Sequence, residues 1–255
     1  MHVWRIHLDV EPATAAFLTT TLSDEELARA GRLRGDEART ASIVGRAALR
    51  DILASYLDHD PASLPLGRGR HGKPFLAGEN CLEFNLSRSS GLALCAVTST
   101  GAVGVDIEAI RPQLDHELIA RHVLSIAERR HLADTREDGS SAAFLTTWVR
   151  KEALAKAWGD GLSFPFDRFD VASRPDAVPA LTEVRGRPGE AARWSLRDLP
   201  VGSGYAAAVA ANHFDSGVWR WEWSPRSARR PRHPAHRVHT HRRARDDEYG
   251  GATYG

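Results

Sequence analysis

Two stretches of helical periodicity, each followed by a group of short alternating segments, constrain the fold of this 255-residue chain most. Residues 38–57 carry Ile43, Ala47, Leu49, Leu53 and Leu57 at helical spacing and stop at Asp58-His59-Asp60-Pro61. Strand-like segments follow at 82–87, 91–98 and 102–108. The order then recurs in outline. Helical patterns cover 114–123, 125–133 and Ser141 to Trp158, the last ended by Gly159-Asp160-Gly161. Strands are expected near 168–172, 191–196, 205–211 and 218–223. Helices and strands in separate groups predict an α+β fold rather than strict βαβ alternation. No sequence repeat is strong enough to prove duplication.

The N-terminal segment 3–10 alternates, with Val3, Leu8 and Val10 in phase and Ile6 partly out of it, and reads as a strand. Ser23, three residues before Glu26, has the pattern of a capping box. A short basic helix with Arg29, Arg32 and Arg34 is expected after it. Residues 65–74, with two prolines and three glycines, read as a loop. Residues 174–190 read as a mobile insert.

Composition narrows the class. Hydrophobic residues make up 42% and charged residues 26%, as in soluble globular proteins. Cys81 and Cys95 make no disulfide framework, the N-terminus has no signal-peptide pattern, and the longest apolar run, near Leu92–Val97, is too short to span a bilayer. The expectation is a cytoplasmic protein with no membrane partner. The net charge of +1 averages a body of −4 with a tail, 226–255, of +5. That tail, which holds His233, His236, His239 and His241, is expected to be solvated and disordered, and nothing marks a nucleic-acid-binding fold. Trp219, Trp221 and Trp223 share one strand face and read as a packing stripe. Of 34 basic side chains only Lys73, Lys151 and Lys156 are lysines. Lysine is a compact charge that can donate a proton, which arginine effectively cannot.

Three constellations carry chemistry. In Gly104-Val105-Asp106-Ile107-Glu108, a strand would turn Val105 and Ile107 to a core and project both acids together. A divalent cation would relieve their repulsion, and carboxylates suit Mg²⁺ or Mn²⁺; an amphipathic surface strand with two solvated acids reads the same. On a helix, Trp148, Glu152 and Lys156 form one stripe, either an exposed ion pair or a site beside a buried aromatic. Gly72-Lys73-Pro74 and Asn85-Leu86-Ser87-Arg88-Ser89 offer anion donors, or are an ordinary turn and a hairpin tip.

In order and approximate spacing, Gly-Lys-Pro, Phe-Asn-Leu-Ser-x-Ser, Gly-Val-Asp-Ile-Glu and Trp-x-x-Lys-Glu-Ala-x-x-Lys resemble the 4′-phosphopantetheinyl transferases of the surfactin-synthetase-activating type. The similarity runs from about Leu22 to Ala211, and Gly159–Pro165 resembles the family's Gly-x-Gly-Leu-Ser-x-Pro stretch. Such enzymes move phosphopantetheine from coenzyme A to a serine of an acyl or peptidyl carrier protein and release 3′,5′-ADP.

The resemblance implies two similar α+β lobes, 1–101 and 102–224, related by a pseudo-two-fold axis with the active site between them, and a tail from 225 to 255. It implies Mg²⁺ (or Mn²⁺) on Asp106, Glu108 and Glu152, with Glu152, Lys156 and Asp106 as the catalytic set. Lys73, Pro74, Ser87 and Arg88 would contact coenzyme A, and Arg39 and Arg34, with Arg32 the alternative in a loose register, would meet its 3′-phosphate. Glu152 would activate the carrier serine, directly or through a bound water, and Lys156 would stabilise or protonate the leaving oxygen. Arg88 stands where the family commonly has histidine; it can bind a phosphate but cannot titrate near neutral pH. A coenzyme A- or nucleotide-binding protein with weakened catalysis is the alternative this departure keeps open. Because both halves of the constellation lie in one chain, a monomer is expected. The resemblance gives Lys151 a family position without a chemical role.

Overall fold

The computed structural model describes residues 1–69, 72–78, 82–111, 116–134, 137–159, 165–174, 177–212 and 217–225. Cys81, the stretch 160–164 and the tail 226–255 lie outside the described residues. Among those described, no helix is long and apolar enough to cross a membrane.

The chain runs β1 (His2–His7), α1 (Pro12–Leu18), α2 (Asp24–Gly31), α3 (Asp36–Leu57), β2 (Leu66–Arg68), β3 (Pro74–Leu76), β4 (Glu83–Ser89), β5 (Leu92–Thr98), β6 (Val103–Ala109), α4 (His116–Val123), α5 (Ile126–Ala133), α6 (Glu137–Trp158), β7 (Phe169–Val171), β8 (Leu181–Val184), β9 (Ser195–Asp198), β10 (Tyr205–Ala211) and β11 (Trp219–Trp223). The first sheet has the order β11-β1-β5-β4 and the second β6-β10-β9. All pairings are antiparallel except β1 with β11. The fold is mixed α/β, with grouped antiparallel strands as the sequence order predicts.

Strand alternation builds a layered core. Every residue of β5 is buried. Its Ala93, Cys95 and Val97 join Trp4, Ile6, Val44, Leu49 and Leu53 in a core shared with α3. Its Leu92, Leu94 and Ala96 face the other way and meet Val103, Val105 and Ile107 of β6. The outer face of the second sheet, through Ala208, Ala210 and Leu196, packs on Val149, Ala153, Leu154 and Ala157 of α6. The layers are therefore α3, first sheet, second sheet, α6. The edge of β4 meets the edge of β6, and side chains substitute for a missing strand partner there: Asn85 Oδ1 accepts from the Val105 N–H (2.9 Å) and Ser89 Oγ from the Ala109 N–H (3.1 Å).

Several local expectations change. The capping box at Ser23 and Glu26 is present, but α2 ends at Gly31, so Arg32 and Arg34 lie beyond it. Residues 65–74 are not simply a loop: β2 and β3 pair as a small hairpin, with the phenyl ring of Phe75 lying over the bare Cα of Gly67. Within 174–190, β8 pairs with β7, so this segment includes sheet structure that the insert reading omitted. In the tryptophan stripe, Trp223 is buried and donates to Asp51 Oδ2 (2.7 Å), and Trp221 stacks on Trp4, whereas Trp219 is 51% exposed.

Candidate active site

The site forms where α6 crosses β6 and where β4 abuts it. Val105 and Ile107 are fully buried in the inter-sheet core. The opposite parity turns Asp106 and Glu108 toward α6 and the β4 edge. The alternation is the expected one, but Asp106 is not solvated, at only 2% exposed, and Glu108 is partly buried. Ser87 and Ser89, two apart on β4, match them one for one. Ser87 Oγ donates to Asp106 Oδ1 (2.7 Å) and Ser89 Oγ to Glu108 Oε2 (2.9 Å). The Ser90-Gly91 turn, both residues at positive φ, closes the β4–β5 hairpin that sets this register.

Gly104 lets the helix approach. A Cβ at this position would overlap the carbonyl oxygen of Ala153 and the amide of Ala157, so the α6 backbone lies directly on β6. Trp148, stacked between Phe144 and Phe166, seats the middle of α6. Together these contacts bring Glu152 and Lys156 over Asp106. Lys156 Nζ donates to Asp106 Oδ1 (2.5 Å) and to Ser87 Oγ (2.9 Å). Glu152 is pushed up to about 7 by burial first and then by the Asp106 and Glu108 carboxylates, against the pull of Lys156. Burial and Asp106 also raise Glu108, against the hydrogen bond from Ser89 and the charges of Lys156 and Arg111. Asp106 Oδ2 is buried without a hydrogen-bond partner.

These are hard oxygen donors with a surplus of negative charge, which is what a Mg²⁺-like ion requires. As the side chains stand, no three His, Cys, Asp or Glu side chains among the described residues are gathered closely enough to hold an ion. The orphaned Asp106 oxygen and the perturbed Glu152 nonetheless fit such a cation.

Lys73 reaches the site from the other side. Its Nζ donates to the carbonyl of Lys156 (2.9 Å), joining the β2–β3 hairpin to the end of α6. Beside it lies a pocket of about 410 Å³ lined in part by Lys73, Pro74, Phe75, Leu82, Glu83 and Gly159. The remaining anion candidates stand apart from this network. Arg88 points away from Ser87 on β4 and is exposed. Arg39 is exposed and pairs with Asp36 on the first turn of α3 (3.1 Å), and Arg34 is exposed before that helix.

A sequence profile of the 4′-phosphopantetheinyl transferase superfamily matches residues 102–210, the span from β6 to the end of β10. The 4′-phosphopantetheinyl transferase HetI of Nostoc sp. is 36% identical over 217 residues, 84% of this chain and 88% of that protein. The chain belongs to the 4′-phosphopantetheinyl transferase superfamily. A Bacillus subtilis 4′-phosphopantetheinyl transferase is 27% identical over 84% of this chain and 94% of its own length. The ACPS–CoA complex of Chronobacterium ammoniagenes overlays 42% of this chain and 93% of its own, at 25% identity and a TM-score of 0.33.

In this transferase some site features escaped the sequence reading. Ser89 is an anion donor in the sequence reading, whereas here its Oγ donates to Glu108 Oε2 and accepts from the Ala109 N–H; the signal for that pairing is the period of two from Ser87. Gly104 carried no side chain to assign. Glu128 was marked only by Ser125-x-x-Glu128, a capping-box pattern at the start of a short helix.

Proposed function

We propose that the protein transfers 4′-phosphopantetheine from coenzyme A to a serine of an acyl or peptidyl carrier protein, in a Mg²⁺-dependent reaction that releases 3′,5′-ADP. One observation carries the reading: the buried, unpartnered Asp106 Oδ2 beside Glu152, whose proton affinity is raised to near neutrality. Asp106, Glu108 and Glu152 would hold the cation, which when bound neutralises charge on the pyrophosphate.

The other roles belong to this chain's residues. The serine oxygen forms a bond to the pantetheine-side phosphorus as the bond to the bridging oxygen breaks. The serine proton passes to Glu152, directly or through a water, the carboxylate acting as general base. The departing phosphate of 3′,5′-ADP gains charge beside Lys156, which stabilises or protonates it. Lys73, Pro74 and Ser87 face the coenzyme, whose nucleotide end suits the pocket at the β2–β3 hairpin in size. Arg88, Arg34 and Arg39 lie exposed, Arg39 in a surface pair with Asp36, where they can meet phosphates from solvent. Exposure of Arg88 outside the acid–lysine network supports a tolerated replacement of the family histidine.

Two lobes, 1–101 and 102–224, related by a pseudo-two-fold axis would frame the site. Each has a 22-residue helix on a largely antiparallel sheet, with β11 returned to the first sheet as a parallel neighbour of β1. The enzyme is proposed to act as a cytoplasmic monomer. Purified protein, coenzyme A and Mg²⁺ should add one phosphopantetheine mass to an apo carrier. No addition across several acyl and peptidyl carriers overturns the proposal.

A further inference from the structure

Three consecutive charged residues of α6 leave the helix in three directions, and two of them are entirely buried. Arg150 is 0% exposed and forks onto both oxygens of Asp198, with a further donation to the Ala172 carbonyl. Lys151 is also 0% exposed. Its Nζ donates to Glu128 Oε2 (2.6 Å) and to the Phe169 carbonyl (2.6 Å), and lies 4.4 Å from the centre of the Phe169 ring. Glu152 follows, turned toward Asp106.

Glu128 is the hub of this arrangement. It is 1% exposed, and its oxygens accept from three elements. Oε2 takes the Ser125 N–H (2.8 Å) at the start of α5 as well as Lys151 from α6, and Oε1 takes the Val171 N–H (2.9 Å) of β7. Neither of the two larger sheets contributes to this clamp; it ties the outer face of α6 to α5 and to β7 of the small β7–β8 sheet. A buried ion pair of this kind adds little net stability over an apolar pair of the same size, but it fixes direction. Direction matters here because successive helical residues are about 100° apart, so holding Lys151 fixes where Glu152 points. A twist of about 20° would move a carboxylate about 2 Å at the helix surface, roughly 6 Å from the axis. Displacements of that order cost large factors in rate.

We propose that Glu128, acting through Lys151, is a positioning residue that sets the rotation of α6 and so aims Glu152 at the Asp106 carboxylate. The inference rests on the reading of Glu152 as a site residue. It also gives the third lysine of the chain a role: a compact ammonium fits between Glu128, the Phe169 carbonyl and the Phe169 ring, where a guanidinium is too long.

The double variant Glu128→Gln/Lys151→Met removes both charges together and leaves no unpaired buried ion. It is expected to unfold within a few degrees of wild type. Transfer to a purified apo acyl carrier protein, assayed well below that temperature, should show kcat lowered about 10- to 100-fold, the range for residues that orient a site from behind. KM for coenzyme A should stay within about twofold. A wild-type kcat in the double variant, or a loss confined to KM, overturns the inference. Should the double variant fail to fold, Lys151→Arg retains the charge but overfills the slot; lowered kcat at unchanged KM supports the proposal, and unchanged kcat defeats it. Glu152→Gln is assayed alongside: full activity there removes Glu152 from the reaction, a failure of the site reading distinct from failure of the positioning role.

Discussion

Lys156 Nζ and Ser87 Oγ both donate to the same oxygen of Asp106, Oδ1, at 2.5 and 2.7 Å, while Oδ2 has no partner. The carboxylate is almost wholly buried and the ammonium partly exposed, at 3% and 27% of their side-chain surfaces. An internal cation thus serves one side of a carboxylate whose other side is open. Lys156→Met removes that cation and leaves a buried carboxylate unpaired. Fully buried cases cost about 3–5 kcal/mol; partial exposure of the lysine lowers the expectation to about 2 kcal/mol. Millimolar Mg²⁺ should restore much of the loss, because it would supply the missing charge. Thermal unfolding with and without MgCl₂ measures both effects. A variant as stable as wild type, or one indifferent to Mg²⁺, contradicts this account.

Glu152 makes the ligand-free protein less stable as pH rises. Its affinity goes from the ordinary 4.5 up to about 7 on folding. Between those values the unfolded chain has released the proton and the folded chain has kept it. Stability therefore falls as pH climbs through this window, by on the order of 3 kcal/mol in full above it. Glu152→Gln abolishes this titration. The variant should exceed wild type in Tm at about pH 8 and match it at about pH 4, while losing transfer activity. Equal Tm values at both pH values would show that Glu152 is not strained.

Much of this was legible from the sequence because it depended on local period. The i, i+4 stripe of Trp148, Glu152 and Lys156 and the alternation of Asp106 and Glu108 each follow from one element. What joined them was not local. The pairing of Ser87 with Asp106 depends on two strand edges meeting, and the burial of Lys151 depends on α5 and β7 covering a helix that also packs on a sheet. Among the described residues α6 buries apolar and charged side chains on several sides, so its sequence pattern does not mark its ion pairs as solvated or sealed. The short β2 and β3 escaped notice because three-residue strands among prolines and glycines carry too little period to register. Arg34 and Arg39 were assigned from a loose register, and both are exposed outside the acid–lysine network.

Gly104 is the point of closest approach between β6 and α6. The atoms that a Cβ would strike there belong to the backbone of Ala153 and Ala157, so no rotamer change relieves the clash. Gly104→Ala must push the helix off the strand, which separates Glu152 and Lys156 from Asp106. Overpacking of this kind costs about 1–3 kcal/mol and sometimes more. Activity should fall by a larger factor than stability implies if the displaced residues act in the reaction as proposed. Transfer rates measured on folded protein, with circular dichroism as the control, separate the two. Retained kcat in folded Gly104→Ala would mean that the helix position is not critical.

Lys73 links segments 83 residues apart by donating to the Lys156 carbonyl. Burial lowers its affinity for the proton, and Glu83 partly offsets this. The ammonium remains a compact donor at the mouth of the hairpin pocket. Lys73→Met loses one hydrogen bond to a charged group, about 1.5–3 kcal/mol, and with it a cation for coenzyme A phosphates. If the lysine serves the coenzyme as proposed, the Kd for coenzyme A by calorimetry should rise about tenfold or more, and kcat at saturating coenzyme should change little. Lys73→Arg should recover only part of the binding, because the longer forked head cannot hold both the Lys156 carbonyl and a phosphate in the same geometry. An unchanged Kd in Lys73→Met would leave this lysine as a tether between the hairpin and α6 and nothing more.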